Sequence, residues 1–259
     1  MGQECPNLDG RCPCPIPRAA ILAAMNRRDL LTVSAAAALL AADTVAHAES
    51  KSIKPLTPPA KGKIPVAFLI SDDAQVIDFA GPWEVFQDVH VPSRGTTMDE
   101  RMPFQMFTVA QSIKPIRATG GLQIVPDYDF ASAPVAKLIV IPAQSRPTDA
   151  TIAWLRKSAQ LSDVTMSVCT GAFVLGATGM LAGQAATTHH DFYDKFAETF
   201  PDVHLQRGVR FVDNDRIATA GGLTSGIDLA LHVVERYFGA EVAQQTATMM
   251  EYESSHWKV

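Results

Sequence analysis

The stretch Val164-Thr-Met-Ser-Val-Cys169-Thr-Gly-Ala-Phe-Val-Leu-Gly176 predicts a buried strand that runs directly into a helix, with a cysteine at the junction. Small residues stand two positions to either side of that cysteine, at Ser167 and Gly171. A nucleophile elbow needs this spacing because bulky neighbours would clash where the chain reverses direction. The stretch therefore predicts a reactive Cys169 in a strained strand-to-helix turn.

The same position predicts a lowered pKa for Cys169. Backbone N–H groups at a helix N-terminus favour negative charge, and cysteines placed there titrate at about 3.5 to 7.5 instead of about 8.5. These N–H groups, beginning with that of Thr170, are also placed to hold a developing negative charge on a substrate. The alternative is a small buried hydrophobe at the end of a core strand, since free cysteine is among the most buried residue types. The spacing alone leaves both interpretations open.

Two more apolar runs have the composition of strands buried on both faces, Pro65 to Ile70 and Lys137 to Ile141, and helical spacing follows each of them. Proline is favoured in the first turn of a helix, so Gly81-Pro82 and Pro147 are predicted to open the two helices. Strands that alternate with helices predict an α/β three-layer sandwich with a mainly parallel central sheet. Such sheets bind ligands at the carboxyl ends of their strands.

Weaker signals fill in the rest of the domain. They predict short strands at Gln105 to Val109 and Leu122 to Val125, a hairpin turn at Asp213 to Asp215 and a surface loop from Val91 to Met102. The segment Glu49 to Gly62 is rich in lysine, proline and serine and predicts a flexible linker. The folded domain is therefore predicted to cover residues 63 to 259.

The N-terminal part has the features of an export signal. Met25-Asn-Arg-Arg-Asp-Leu-Leu31 places two arginines before the alanine-rich run Leu31 to Ala42, and Ala46-His47-Ala48 is the small-x-small pattern that signal peptidases accept. The run is shorter than the roughly 20 residues that span a bilayer, which favours a cleaved twin-arginine signal over a membrane anchor. We predict that residues 1 to 48 are leader and signal, and that the mature protein is periplasmic and free of the membrane.

Charge and cysteine content narrow the set of partners. The formal net charge is -5 and no run of lysines and arginines occurs, which argues against a surface that binds nucleic acid. Of the cysteines, only Cys169 follows residue 48, so no intramolecular disulfide is expected in the mature chain even in an oxidising compartment. No cofactor is predicted.

Several segments together resemble the DJ-1/PfpI superfamily, in the subgroup that contains isonitrile (isocyanide) hydratases and the sensor-like domains of AraC-type regulators. The resemblance is carried by Ser167-Val-Cys169-Thr-Gly-Ala-Phe-Val-Leu-Gly-Ala177, Ala185-Ala-Thr-Thr-His189, Val76-Ile-Asp78-Phe-Ala-Gly-Pro-Trp-Glu-Val-Phe86, Gly121-Leu-Gln-Ile-Val-Pro126 and Thr219-Ala-Gly-Gly-Leu-Thr-Ser-Gly-Ile-Asp-Leu-Ala230. In the family's order they cover the chain from about residue 64 to 252. The resemblance implies a flavodoxin-like sheet and a homodimer.

The resemblance also implies roles for individual residues. Cys169 matches the nucleophile, Asp78 of the D-x-x-G-P motif matches the acid/base, and Thr170 helps to position the substrate. His189 and Gly171 are expected to contribute to the binding site. Family members carry Pro-Gly-Gly after the strand before the elbow strand, where this chain has Pro142-Ala143-Gln144. The backbone N–H groups of Ala143 and Gln144 are therefore expected to be re-aimed, and the Gln144 side chain to reach the pocket.

Some of these residues have structural alternatives. Asp78 precedes the predicted start of the first helix and suits a helix cap, and His189 suits a helix start. A metal site made of His189, His190 and Asp191 is not predicted, because adjacent histidines on a helix point in different directions. Glu84 matches the glutamate that the wider family pairs with its cysteine, and it is expected at the surface.

Three functions are compatible with these patterns. The first is a cysteine-dependent hydratase or lyase acting on a small electrophilic substrate such as an isocyanide, which would give an N-substituted formamide. The second is a binding or sensing module that uses the pocket without turnover. The third is redox sensing through oxidation of Cys169 to sulfenic acid. A PfpI-type peptidase is disfavoured because it needs a histidine directly after the cysteine, where this chain has Thr170.

Overall fold

The computed structural model describes residues 53 to 258. The predicted leader, the twin-arginine signal and its cleavage site lie outside these residues. Among the helices it describes, none is both long enough and apolar enough to cross a bilayer.

A seven-stranded sheet forms the centre of the domain. Its strands are β1 (Ile64–Leu69), β2 (Phe104–Ala110), β5 (Tyr128–Asp129), β6 (Leu138–Ile141), β7 (Val164–Val168), β10 (Phe211–Asp213) and β11 (Ile217–Ala220). Their order across the sheet is β10-β11-β7-β6-β1-β2-β5. All neighbours pair in parallel except β10 and β11, which form the predicted hairpin. Two short pairs stand apart, β3 (Ile116–Arg117) with β4 (Gln123–Ile124) and β8 (Ala185–Ala186) with β9 (His204–Leu205). The predicted mainly parallel α/β architecture is confirmed.

Helices cover both faces of this sheet because alternate side chains of its buried strands point to opposite sides. The helices are α1 (Val76–Gln87), α2 (Met98–Arg101), α3 (Asp149–Ala159), α4 (Gly171–Ala177), α5 (Tyr193–Thr199), α6 (Ser225–Phe238) and α7 (Ala240–Met249). In β6, Leu138 and Val140 join the core under α1, α6 and α7, whereas Ile139 and Ile141 join the core under α3, α4 and α5. The result is the predicted three-layer sandwich.

Helix boundaries differ from prediction in two places. Pro82 does not open the first helix, which begins six residues earlier at Val76 and keeps Pro82 inside. Proline there has no N–H to donate to the carbonyl of Asp78, four residues earlier, and its ring crowds that carbonyl. The helix that Pro147 was predicted to open is α3. It begins two residues later, at Asp149, after an N-cap at Thr148 whose hydroxyl accepts from the N–H of Thr151.

The segment predicted as a surface loop, Val91 to Met102, contains a 3₁₀ turn (Pro92–Arg94) and the short helix α2. Thr97 and Glu100 form a capping box at the start of α2, in which each residue satisfies the other's backbone N–H. This reciprocal pair explains why a polar segment takes helical structure.

The described part of the predicted linker is held against the domain. The Arg236 side chain donates to the backbone carbonyl of Lys54 at 3.1 and 3.2 Å, and the N–H of Leu56 donates to the carbonyl of Arg236 at 2.7 Å. Arg94 donates to the carbonyls of Pro59 and Gly62. From about residue 54 onward, therefore, the segment is docked on the domain, and arginine side chains satisfy three of its backbone carbonyls.

Candidate active site

Cys169 lies in a strained turn between β7 and α4. Its φ angle is +59°, in the left-handed region that costs a non-glycine residue about 1–2 kcal/mol. The turn is held on both sides: the Cys169 N–H donates to the carbonyls of Ala220 and Gly221 at 3.2 and 2.8 Å, and its carbonyl accepts from the Thr188 hydroxyl at 2.9 Å. The backbone therefore has the strain and the support expected of a nucleophile elbow.

The small residue after the elbow has a steric reason. A Cβ atom on Gly171 would lie 2.1 Å from the carbonyl oxygen of Ile141 and 2.8 Å from that of Pro142. The first turn of α4 thus packs directly on the backbone that leaves β6. We find Gly171 in the packing that supports the site, whereas the sequence suggested a place for it in the binding site.

Asp78 reaches the elbow from the first turn of α1. It does not cap that helix, since the N-cap position belongs to Gln75, so the helix-cap alternative is wrong. The Asp78 side chain is fully buried, and its Oδ2 accepts from the Ala143 N–H at 3.1 Å. Its Oδ1 has no hydrogen-bond partner of regular geometry among the described residues, although the Cys169 side chain lies close enough to affect its pKa.

Backbone N–H groups surround the two side chains. The Leu223 N–H faces both the Asp78 carboxyl and the Cys169 sulfur, and the Thr170 N–H also faces that sulfur. Leu223 itself has a φ of +52°, in the left-handed region, so the loop after β11 that presents this N–H is also strained. These donors can stabilise negative charge on sulfur or on a bound intermediate.

Burial dominates the electrostatics of this pair. Removal from water raises the pKa of Asp78 from 3.8 to about 7, against the opposing effect of its hydrogen bond from Ala143. Burial and, next, the neighbouring Asp78 charge raise the pKa of Cys169 to about 12, although the N–H groups of Thr170 and Leu223 lower it. The predicted low pKa for Cys169 is therefore wrong. Near neutral pH the sulfur is a thiol, and Asp78 exchanges its proton readily.

This electrostatic arrangement predicts how alkylation depends on pH. In the full chain, the rate of iodoacetamide reaction at the Cys169 peptide, read by mass spectrometry, should still be rising at about pH 10, beyond the ordinary cysteine midpoint of about 8.5. Asp78→Asn should move the midpoint down, because the Asp78 charge raises the pKa of the thiol. The exposed Glu84 on the same helix gives the control, and Glu84→Gln should leave the midpoint unchanged. A midpoint below 8.5 in the wild type would contradict this electrostatic account.

The comparison with known families agrees with the fold and the elbow. The family model described as DJ-1/PfpI family matches residues 65–236. The chain belongs to the DJ-1/PfpI family. The matched residues include nearly all of β1, which precedes Asp78, and the elbow that carries Cys169.

Proteins similar to this chain include an enzyme and a transcriptional regulator. Isonitrile hydratase of Pseudomonas putida is 29% identical over 192 residues, which cover 72% of this chain and 78% of the hydratase. The HTH-type transcriptional regulator GbdR of Pseudomonas aeruginosa is 25% identical over 192 residues, which cover 73% of this chain but only 50% of the regulator. Among solved structures, a THiJ/PfpI family protein from Pseudomonas syringae superposes with a TM-score of 0.63, at 25% identity and 83% coverage of both chains.

The loop Pro142-Ala143-Gln144 is where this chain departs from the DJ-1/PfpI pattern, and its side chains and N–H groups lie differently from what the sequence predicts. The Ala143 N–H is engaged by Asp78, so it orients the carboxyl. The Gln144 side chain does not enter the space at Cys169; its Nε2 donates to the carbonyl of Leu69 at 3.0 Å, and it lines a separate cavity. The loop thus supports Asp78 on one side and faces a second space on the other.

His189 lies beside the loop that carries Leu223. Its ring packs against Gly222, where an added Cβ atom would lie 2.3 Å from the imidazole Cδ2. It also serves as the N-cap of the following 3₁₀ turn, since its Nδ1 accepts from the Asp191 N–H at 3.2 Å. The structure thus gives His189 the helix-start role and places it next to the loop at the site.

The prediction that the rings of His189 and His190 point in different directions is wrong. His189 has extended backbone, so its ring and that of His190 do not diverge as on a helix; they stack with centroids 4.4 Å apart. Ligand atoms of these two residues and of Asp191 lie within 4.8 Å of one another. The grouping is half-buried to exposed, and we assign it no role in the chemistry of Cys169.

Glu84 is exposed and accepts a hydrogen bond from Gln87, apart from the site.

Sequence reasoning missed the residues that hold the Leu223 loop. Asp228 is fully buried at the start of α6, paired with Arg210, and accepts from the hydroxyls of Tyr252 and Ser254 at 3.2 and 2.8 Å. Arg210 also donates to the Thr224 hydroxyl at 3.2 Å, next to Leu223. The available signal was the glycine pair Gly221-Gly222 directly after a buried strand, which indicates unusual backbone geometry.

Proposed function

We propose that this protein is a cysteine-dependent hydratase of small electrophilic carbon compounds, with an isocyanide as the substrate class and an N-substituted formamide as the product. The observation that carries the proposal is the buried pair of Cys169 and Asp78 at the elbow. The N–H groups of Thr170 and Leu223 face the sulfur of this pair. The similarity to an isonitrile hydratase supports the choice of substrate.

The chemistry begins with a proton transfer that the pair can perform. Asp78 as carboxylate takes the proton of the Cys169 thiol while the sulfur attacks the terminal isocyanide carbon, and the protonated Asp78 then delivers that proton to the same carbon. The product of this step is a thioimidate, in which sulfur, hydrogen and nitrogen are all bonded to the former isocyanide carbon. The N–H groups of Thr170 and Leu223 stabilise the charge on sulfur as the proton leaves.

Water completes the cycle. It adds to the thioimidate carbon, with its hydroxyl on carbon and its proton on nitrogen. The carbon–sulfur bond then breaks, the hydroxyl proton passes through Asp78 to sulfur, and the formamide leaves with the Cys169 thiol restored. The balance is one isocyanide plus one water giving one N-substituted formamide. A carboxyl with a pKa of about 7 suits these transfers, because general acid–base catalysis works best near the operating pH.

The second candidate function is a ligand-binding or sensing module on the same fold. Similarity to the regulator GbdR favours it, as does a thiol that stays protonated at neutral pH. Redox sensing is less well supported, because oxidation follows thiolate character and exposure, and Cys169 is 7% exposed with a raised pKa. From the twin-arginine pattern we also propose that the protein acts in the periplasm. From the family resemblance we propose that it forms a homodimer.

A direct assay separates the two candidates. The full chain is incubated with cyclohexyl isocyanide near pH 7, and N-cyclohexylformamide is measured by proton NMR. We expect catalytic formation of the formamide by the wild type, and only the uncatalysed rate with Cys169→Ser. Formamide formation that is equal in both proteins, or absent from the wild type, would reject the hydratase and favour the sensing module.

A further inference from the structure

A cavity of about 210 Å³ opens at the carboxyl ends of β1 and β6, apart from the elbow. Its walls include Leu69, Gln111, Phe130, Gln144, Arg146 and Thr148. Neither Cys169 nor Asp78 lines it. The strand order reverses between β1 and β6, since β1 leads outward to β2 and β6 leads outward to β7. Open α/β sheets bind ligands at this kind of position.

The size of the cavity restricts its occupant. An apolar cavity of about 150 Å³ holds one benzene molecule, so this space accepts a compound of only slightly greater size. Phe130, Leu69 and Val174 supply apolar wall, and Phe130 is fixed by stacking on Trp154 with ring centroids 5.2 Å apart. A short aliphatic body fits such a wall.

The polar groups of the cavity favour negative charge. Arg146 forms no ion pair with any residue between 53 and 258. Gln111 uses its Oε1 to accept from the Thr148 hydroxyl at 2.9 Å, which leaves its amide N–H groups as donors. The acidic side chain in the wall, Asp72, has one oxygen occupied by the N–H of Arg117 at 2.8 Å. Asp72, Gln111 and Arg146 are all exposed, so the three side chains meet at the mouth of the cavity. An arginine and a free amide donor match the geometry of a carboxylate.

The wall of this cavity is connected to the elbow through one peptide segment. Gln144 faces the cavity, and the N–H of the preceding residue, Ala143, donates to Asp78 at 3.1 Å. The carbonyl of Ala143 accepts from Gln75, just before α1. This segment is therefore a route by which a ligand against Gln144 would act on the hydrogen bond that orients Asp78, and any such coupling acts in both directions.

We propose that this cavity is a second ligand site that binds a short aliphatic monocarboxylate, held by Arg146 and Gln111, and that its occupation changes the state of the Asp78–Cys169 pair. The site is separate from the proposed hydratase chemistry. Its ligand acts as an effector, and Gln144 transmits the effect.

Binding is tested without any need for turnover. Butyrate is titrated by calorimetry into the full chain carrying Cys169→Ser, with butyramide as an uncharged probe of the same shape. We expect butyrate to bind at least tenfold more tightly than butyramide, and Arg146→Gln to remove that preference. Arg207→Gln is the matched control, since Arg207 is an exposed arginine paired with Asp194 outside the cavity, and it should bind as before. No butyrate binding, or binding that Arg146→Gln leaves intact, overturns the site.

Coupling is tested in the protein that keeps its cysteine. Saturating butyrate should change the rate of Cys169 alkylation at a fixed pH of about 9 by at least about twofold, which corresponds to a twofold coupling. The change should be absent in Arg146→Gln and present in Arg207→Gln. A rate that butyrate does not change overturns the coupling, whether or not the protein hydrates isocyanides.

Discussion

Replacing Asp78 with asparagine should lower the rate of formamide production by about 10²-fold to 10⁴-fold, the range that a positioned acid or base contributes. Asparagine keeps the shape of the side chain and its bond from the Ala143 N–H, but it neither takes the Cys169 proton nor returns it to carbon. The loss should appear in kcat, because the proton transfers belong to the chemical steps. Initial rates with cyclohexyl isocyanide at several concentrations measure it.

The same substitution should make the folded protein more stable at neutral and alkaline pH. Burial raises the pKa of Asp78 to about 7 in the folded chain, so the folded state binds the proton more tightly than the unfolded state does. The free energy of unfolding therefore contains the full contribution of the Asp78 proton below about pH 4. That contribution decreases as the pH rises from about 4 and is gone above about pH 7. Asparagine has no charge to bury and avoids a loss of the order of 4 kcal/mol above that pH.

Urea unfolding at about pH 5 and about pH 8.5 tests this pairing of lost activity with gained stability. The stability advantage of Asp78→Asn should be larger at the higher pH. Glu84→Gln, a charge removal on the exposed side of the same helix, should change neither the rate nor the unfolding midpoint appreciably. Full activity in Asp78→Asn would remove Asp78 from the chemistry, and an equal stability change at both pH values would contradict its raised pKa.

Gly171→Ala should destabilise the protein by about 3 kcal/mol or more, at the upper end of the range for overpacked sites. The new methyl group would meet the backbone carbonyls of Ile141 and Pro142, and backbone at the end of a central strand has little room to move. Displacing that backbone also shifts Ala143 away from Asp78. Urea unfolding measures the loss, and alkylation of Cys169 in the folded fraction reports the disturbed pair.

Gly176→Ala is the control, because it lies in the same helix α4. Its added methyl group would lie 2.7 Å from the ring of Phe200, a side chain that can turn aside, so the expected loss is smaller. If Gly171→Ala were as stable as Gly176→Ala, the close approach of α4 to the end of β6 would not be required for the elbow.

Local pattern predicted the elbow strand to the residue and the first strand to within one residue at each end, because both are short, mainly apolar segments rich in β-branched residues. It misplaced the start of α1, since a preference for proline in the first turn is only statistical. The start of that helix contacts Ala143, whose carbonyl accepts from the Gln75 N–H and whose N–H donates to Asp78, and local sequence carries no signal of contacts between such distant residues. The Leu223 N–H was missed because Gly221-Gly222 indicates unusual backbone geometry but not that this backbone meets Cys169, which lies more than 50 residues earlier.

The sequence by itself determined the α/β class, the elbow at Cys169 and membership of the DJ-1/PfpI family, because these follow from hydrophobic period, small residues at fixed spacing and motif order. Only the tertiary structure decided the ionisation of the site and the aim of the Ala143-Gln144 loop. The helix N-terminus predicts a thiolate, yet burial beside Asp78 raises the pKa of Cys169 to about 12. A pKa depends on desolvation and on neighbours brought from distant parts of the chain, and these exist only once the sheet and helices are packed.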